Sequence, residues 1–237
     1  MICERPLYGH IGNLQTEPAM NDNTDEFTIS RERMVKEQIA GRGIKDAAVL
    51  RAMCTVPREL FVSEKYKRYA YDDTPLPIPG RQTISQPYVV ALMIDRLELD
   101  PQGLVLEIGT GSGYAAAVLG QIVREVHTVE RIRELVNYAR QRLDFLGYDN
   151  VHVHHGDGTL GWEPEAPYDG IIVAAGGPTV PESLKDQLAV QGRLIIPVGR
   201  SERRQHLICV TRTGKDSFQQ SELGAVAFVP LIGDDGW

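Results

Sequence analysis

From residue 104 to the end, short apolar runs alternate with longer stretches whose apolar residues recur every three or four positions. The runs Leu104–Ile108, Glu125–Val129, Val151–His155, Gly170–Ala175 and Gly192–Val198 predict strands. Their near-continuous apolar character suits strands covered on both faces. Between them, Tyr114–Ile122, Ile132–Leu146 and Pro181–Leu188 predict helices. In the second, Leu135, Val136, Ala139 and Leu143 form one core-facing stripe, and Gly147 ends it. Strand–helix alternation of this kind predicts an α/β fold, a doubly wound and mostly parallel sheet. The last two runs, His206–Thr213 and Glu222–Val229, flank the turn Thr213–Ser217 and predict an antiparallel C-terminal hairpin on the sheet edge.

The first hundred residues follow another pattern. Residues 1–25 carry no sustained periodicity and predict a flexible N-terminal extension. A helix is expected from about Ser30, with Met34, Val35 and Ile39 on one side and Gly41 and Gly43 stopping it. A second spans about Asp46–Cys54, with Asp46 as N-cap. Tyr71–Arg81, with three prolines and a glycine, reads as loop, and Pro87 fits the first turn of a helix through Val90, Met93, Ile94 and Leu97. Residues 26–237 therefore read as one domain, with N-terminal helices and a loop over 26–100 and the α/β core and C-terminal strands over 101–237.

Composition narrows the partners. Of the 237 residues, 42% are hydrophobic and 24% charged, enough apolar material for a sizeable core. A net charge of −7 argues against a broad nucleic-acid face. No apolar run approaches the roughly 20 residues that cross a bilayer. Cys3, Cys54 and Cys209 are odd in number and far apart, which fits reduced thiols in a cytoplasmic protein, expected to be a monomer.

The densest chemical signal is Leu104-Val-Leu-Glu-Ile-Gly-Thr-Gly-Ser-Gly113. A strand ends near an acid, Glu107, and breaks into Gly109, Thr110, Gly111 and Gly113. A dinucleotide fingerprint would place its third glycine one residue later, where Tyr114 stands. Glu107 would oppose a pyrophosphate but suits an ammonium group, which points to S-adenosylmethionine. Glu130 ends the next strand, where an acid reaches ribose hydroxyls. Asp157, between Gly156 and Gly158, ends the third and could approach an adenine edge.

A second segment, Gly80-Arg-Gln-Thr-Ile-Ser-Gln-Pro87, sets Thr83 and Ser85 just ahead of a helix N-terminus, a natural anion site. Local pattern alone favours Ser85 as a helix cap. No His or carboxylate is recognisably placed to make it a triad nucleophile. His152 and His154 share one strand face, but without a matching acid or cysteine motif no metal is expected. Cys54 sits on an apolar helical pattern and reads as core, and Arg200, Arg203 and Arg204 as a solvated turn.

Together, Gln-Thr-Ile-Ser-Gln-Pro, Leu-Glu-Ile-Gly-Thr-Gly-Ser-Gly-Tyr, Gly-Asp-Gly and Val229-Pro230-Leu231 resemble the protein-L-isoaspartate O-methyltransferase family over about residues 30–233. The resemblance implies a Rossmann-like methyltransferase fold acting on isoaspartyl proteins and peptides. It implies that Ser85 is the active-site serine, with Thr83 and Ile84 in the same pocket. Donor contacts follow for Glu107, Gly109, Glu130, Asp157 and Gly158, and peptide contacts for Val229 and Pro230. Members often carry Arg where this chain has Ala227. Same-fold activity on a small molecule or RNA, and donor binding without catalysis, are the alternatives.

Overall fold

The computed structural model describes residues 22–201 and 204–237, with side chains from residue 26. Of the flexible extension expected over 1–25, residues 1–21, Cys3 among them, lie outside the described residues, as does Arg203, whereas residues 22–25 are helical. Helix α1 runs Asp22–Arg33, earlier than the expected start near Ser30. It is almost wholly polar and docks through Phe27, so it carries no apolar stripe for periodicity to reveal. It continues into a π-helical turn, Met34–Ile39, which buries Met34, Val35 and Ile39. Helix α2, Ala47–Thr55, begins where expected: Asp46 accepts hydrogen bonds from the Ala48 and Val49 N–H groups. Cys54 packs against the core, but it is disulfide-bonded, so the expectation of reduced thiols does not hold for it. Cys209 is a buried free thiol.

The segment expected to be pure loop holds a two-residue strand, β1 (Leu76–Pro77), which pairs antiparallel with β2 (Thr83–Ile84). Helix α3, Pro87–Leu97, follows with its proline in the first turn.

The main sheet is built from β3 (Leu104–Ile108), β4 (Glu125–Glu130), β5 (Val151–His155), β6 (Tyr168–Val173), β7 (Leu188–Ser201), β8 (Arg204–Gly214) and β9 (Ser217–Val226). Their spatial order is β5-β4-β3-β6-β7-β8-β9, with the β7–β8 and β8–β9 pairs antiparallel and the other neighbours parallel. Helices α4 (Tyr114–Gly120), α5 (Arg133–Phe145) and α6 (Glu182–Asp186) complete the fold. One apolar core joins the N-terminal helices, α3, α4 and α5 to one sheet face; a second, around Leu106, Tyr168, Leu184 and Leu194, covers the other. The α/β expectation therefore holds, antiparallel hairpin included.

Two differences matter. β9 ends at Val226, so Val229 leaves the sheet. Gln205 of β8 causes this by donating to the Phe228 carbonyl and accepting from its N–H. The next residues are stitched to Gly176, beyond β6: Gly176 N–H donates to Val229 O and Leu231 N–H to Gly176 O, each at 2.8 Å. Among the described residues no helix is long and apolar enough to cross a membrane.

Candidate active site

Order reverses at β3, whose neighbours β4 and β6 run to opposite sides, and a cleft opens there beyond the strand ends, as such sheets dictate. It encloses about 930 Å³ of space continuous with solvent. Thr83, Ile84, Ser85, Glu107, Gly109, Thr110, Gly111, Glu130, Gly158, Val229 and Pro230 all line it.

Gly109, Gly111 and Gly113 have φ of 91°, 54° and 89°, in the left-handed region that disfavours a side chain. This turns the backbone after β3 through a tight loop and opens α4 at Tyr114. The loop is tied to β4. Glu130 Oε2 accepts from Gly111 N–H at 3.0 Å, and its Oε1 from Ile132 N–H at 2.8 Å. Both carboxylate oxygens are thus held by backbone before any ligand arrives.

Glu107 is held differently. It is fully buried, and its Oε2 accepts from the Thr128 hydroxyl at 2.6 Å; Thr128 and Thr110 share a further 2.6 Å hydroxyl contact. Burial pushes its pKa up to about 8; the Thr128 hydrogen bond opposes this, and Glu130 adds to it. A carboxyl kept largely protonated at the floor of a cleft is driven to ionise when a cation is placed beside it.

Asp157 is not among the lining residues, although Gly158 is. Its Oδ1 accepts from Thr159 N–H and hydroxyl, and its Oδ2 from Asp234 N–H at 2.8 Å. Burial raises its pKa, but these hydrogen bonds outweigh that and hold it below the usual carboxylate range. Asp157 fastens the C-terminal segment beside the cleft.

The Thr83–Ser85 wall depends on residues that the sequence reading passed over. Gln86, not Ser85, occupies the N-cap of α3, and no side chain caps that helix. Asp73 anchors the helix start through Gln86 Nε2 at 2.7 Å and Tyr88 N–H. Arg58 is completely buried; its Nε donates to Ala70 O at 2.7 Å and its Nη2 to Ser85 O at 2.8 Å. Its guanidinium lies 4.8 Å from the Tyr114 ring centroid, and burial lowers its pKa. The signal was a charged Arg58-Glu59 pair inside the apolar run Val56–Val62. A second groove meets the cleft along Thr83, Ser85, Ala174, Val229 and Pro230, and Ala227 is among its lining residues.

The comparisons agree with this geometry. A family model described as protein-L-isoaspartate(D-aspartate) O-methyltransferase matches residues 29–236. The chain is 59% identical over 207 residues to protein-L-isoaspartate O-methyltransferase 2 of Pelobacter propionicus, covering 87% of this chain and 92% of the relative. It is 55% identical over 220 residues to protein-L-isoaspartate O-methyltransferase 1 of Rhodopseudomonas palustris, covering 93% of this chain and 90% of the relative. A solved protein-L-isoaspartate O-methyltransferase superposes with a TM-score of 0.79 at 33% identity, over 87% of this chain and 67% of that one. A Plasmodium falciparum structure of this type, solved with S-adenosyl-L-homocysteine, gives 0.75 at 29% identity over 85% and 98%. This chain belongs to the protein-L-isoaspartate(D-aspartate) O-methyltransferase family.

Proposed function

We propose that the chain methylates the free carboxyl of L-isoaspartyl residues in damaged proteins and peptides, with S-adenosylmethionine as donor. One observation carries this reading: Thr83 and Ser85 stand on the shared edge between the cleft floored by Glu107 and the groove edged by Val229 and Pro230.

The residues fit the donor. Glu107 is a buried carboxyl whose Oε2 accepts from the Thr128 hydroxyl, suited to an ammonium group. Glu130, preset by two backbone N–H groups, suits ribose hydroxyls, and the glycine loop lets the ligand approach backbone. Gly158 lies at the adenine end of the cleft, held through Asp157. When bound, the donor supplies an electrophilic methyl group on sulfonium. The acceptor carboxyl is already ionised near neutral pH, so no general base is needed. The chain's task is orientation: the Ser85 and Thr83 hydroxyls hold the carboxylate, while Ile84, Val229 and Pro230 exclude water. Methylation turns a poor leaving group into a better one, so succinimide closure can follow without the enzyme. A single-chain working form in the cytoplasm is part of the same proposal.

The test is labelled S-adenosylmethionine with an isoaspartyl peptide and its aspartyl twin. Label on the isoaspartyl peptide alone is expected; equal label on both, or on neither, overturns the reading.

A further inference from the structure

At the opposite end of β4 from Glu130, three ligand-type side chains converge. Glu125 and His127 lie on one face of β4, and register places His152 of β5 directly opposite His127. Glu125 Oε1 is 3.3 Å from His127 Nε2 and 3.2 Å from His152 Nε2. The three ligand atoms all fall within 4.8 Å of one another. We propose that Glu125, His127 and His152 form a binding site for a divalent transition-metal ion of the zinc type, separate from the methyl-transfer cleft.

The spacing fits a metal. Bonds of about 2.0–2.2 Å from zinc to imidazole nitrogen and carboxylate oxygen put neighbouring ligand atoms about 3.3–3.5 Å apart in a tetrahedron. The two His-to-Glu separations already lie within about 0.1–0.2 Å of that edge length, and the two imidazole nitrogens, within 4.8 Å of each other, would close on the ion. Two imidazoles and one carboxylate leave one position for water, a familiar zinc set.

The surroundings also fit. His127 is buried, while Glu125 and His152 remain partly open, giving an ion a way in. His127 Nδ1 lies 2.9 Å from His154 Nε2, and Trp162 stacks on the His154 ring with centroids 3.9 Å apart. One tautomer pair has His127 Nδ1–H donating to His154 Nε2. In that tautomer the Nε2 lone pair of His127 faces Glu125 Oε1, an arrangement that a cation between them would complete. Metal-bound histidines commonly have their other nitrogen held in this way. Glu165 adds negative potential at His127, and Arg124 pairs with the other carboxylate oxygen, leaving Oε1 to the histidines. The consequence is structural: β5 is an edge strand paired only with β4, and the ion would pin the two together.

The probes are Zn2+ and Co2+ added to the full chain after dialysis against chelator. One tight equivalent is expected, with a tetrahedral Co2+ absorption band and a Tm rise of about 5 °C or more at hundredfold excess over Kd. His152→Ala, at a partly exposed position, should lose at least tenfold in affinity together with the Co2+ band. Glu125→Gln should do the same. His206→Ala, in an exposed pair with Glu222 on the hairpin, should change neither. S-adenosylhomocysteine binding should be equal with and without metal. Absence of a stoichiometric site in the wild type, or equal binding by His152→Ala, overturns the proposal.

Discussion

Glu107 and Glu130 end neighbouring strands, line one cleft and are both nearly inaccessible, yet the fold treats them oppositely. Glu130 is solvated by protein, with a backbone N–H on each oxygen. Glu107 has the Thr128 hydroxyl on Oε2, and burial pushes it up to about 8. Preset acceptors need no ligand to complete them. A carboxyl left short of donors becomes comfortable only when a cation arrives. The contrast divides the cleft into an end built in advance and an end that waits for its ligand.

Replacing the waiting acid should have the largest effect. Glu107→Gln is expected to weaken S-adenosylhomocysteine binding about 30- to 100-fold, the loss of a charge-assisted contact, measured by calorimetry. The same variant should be more stable than wild type at alkaline pH. Between about pH 4.5 and 8 the folded wild type keeps a proton that the unfolded chain releases, so its stability falls across that window. The variant lacks this slope. Its advantage should be absent near pH 4.5 and reach a few kcal/mol above pH 8, read from urea titrations at several pH values. A variant equally unstable at pH 9 would mean that Glu107 is not strained in the free protein.

On the acceptor side, Ser85→Ala should lower kcat about tenfold or more while leaving S-adenosylhomocysteine affinity within about twofold, the result for a group that orients only the acceptor. Unchanged turnover would remove the positioning role. Glu130→Gln should cost about tenfold in donor affinity, since an amide still accepts from one backbone N–H but presents an N–H2 to the other. Undiminished donor affinity would remove the role of the preset acceptor.

How much of this could be read from the chain depends on sequence distance. The strand-end acids and glycine loop were legible because strand, turn and ligand-facing residues sit within ten positions. Asp46 as a cap was legible for the same reason. Helix α1 was misjudged because its twelve residues, Asp-Asn-Thr-Asp-Glu-Phe-Thr-Ile-Ser-Arg-Glu-Arg, have no apolar period. Arg58 beneath Ser85, Gln205 clamping Phe228 and Glu125 between two histidines depend on contacts across the fold. Sheet register and loop packing create those contacts, and neither is written in local periodicity. Asp157 was read correctly as a strand-end acid beside a glycine, but the chain's own C-terminal segment supplies its partner.

The finest test of the contrast counts protons. If Glu107 receives a ligand ammonium, binding must ionise it, because a neutral carboxyl gains little from the cation. At about pH 6.5, below its raised pKa of about 8, the free protein holds that proton and the complex does not. Binding of S-adenosylhomocysteine should therefore release close to one proton, seen as a difference in apparent enthalpy between two buffers of unlike ionisation heat. Working at that pH keeps the ligand's own ammonium charged, so the proton comes from the protein. Release should fade as pH rises past about 8, and affinity should fall by up to about tenfold for each unit below it. If binding releases no proton at pH 6.5, Glu107 is already charged in the free cleft, and both ends of the cleft are built in advance.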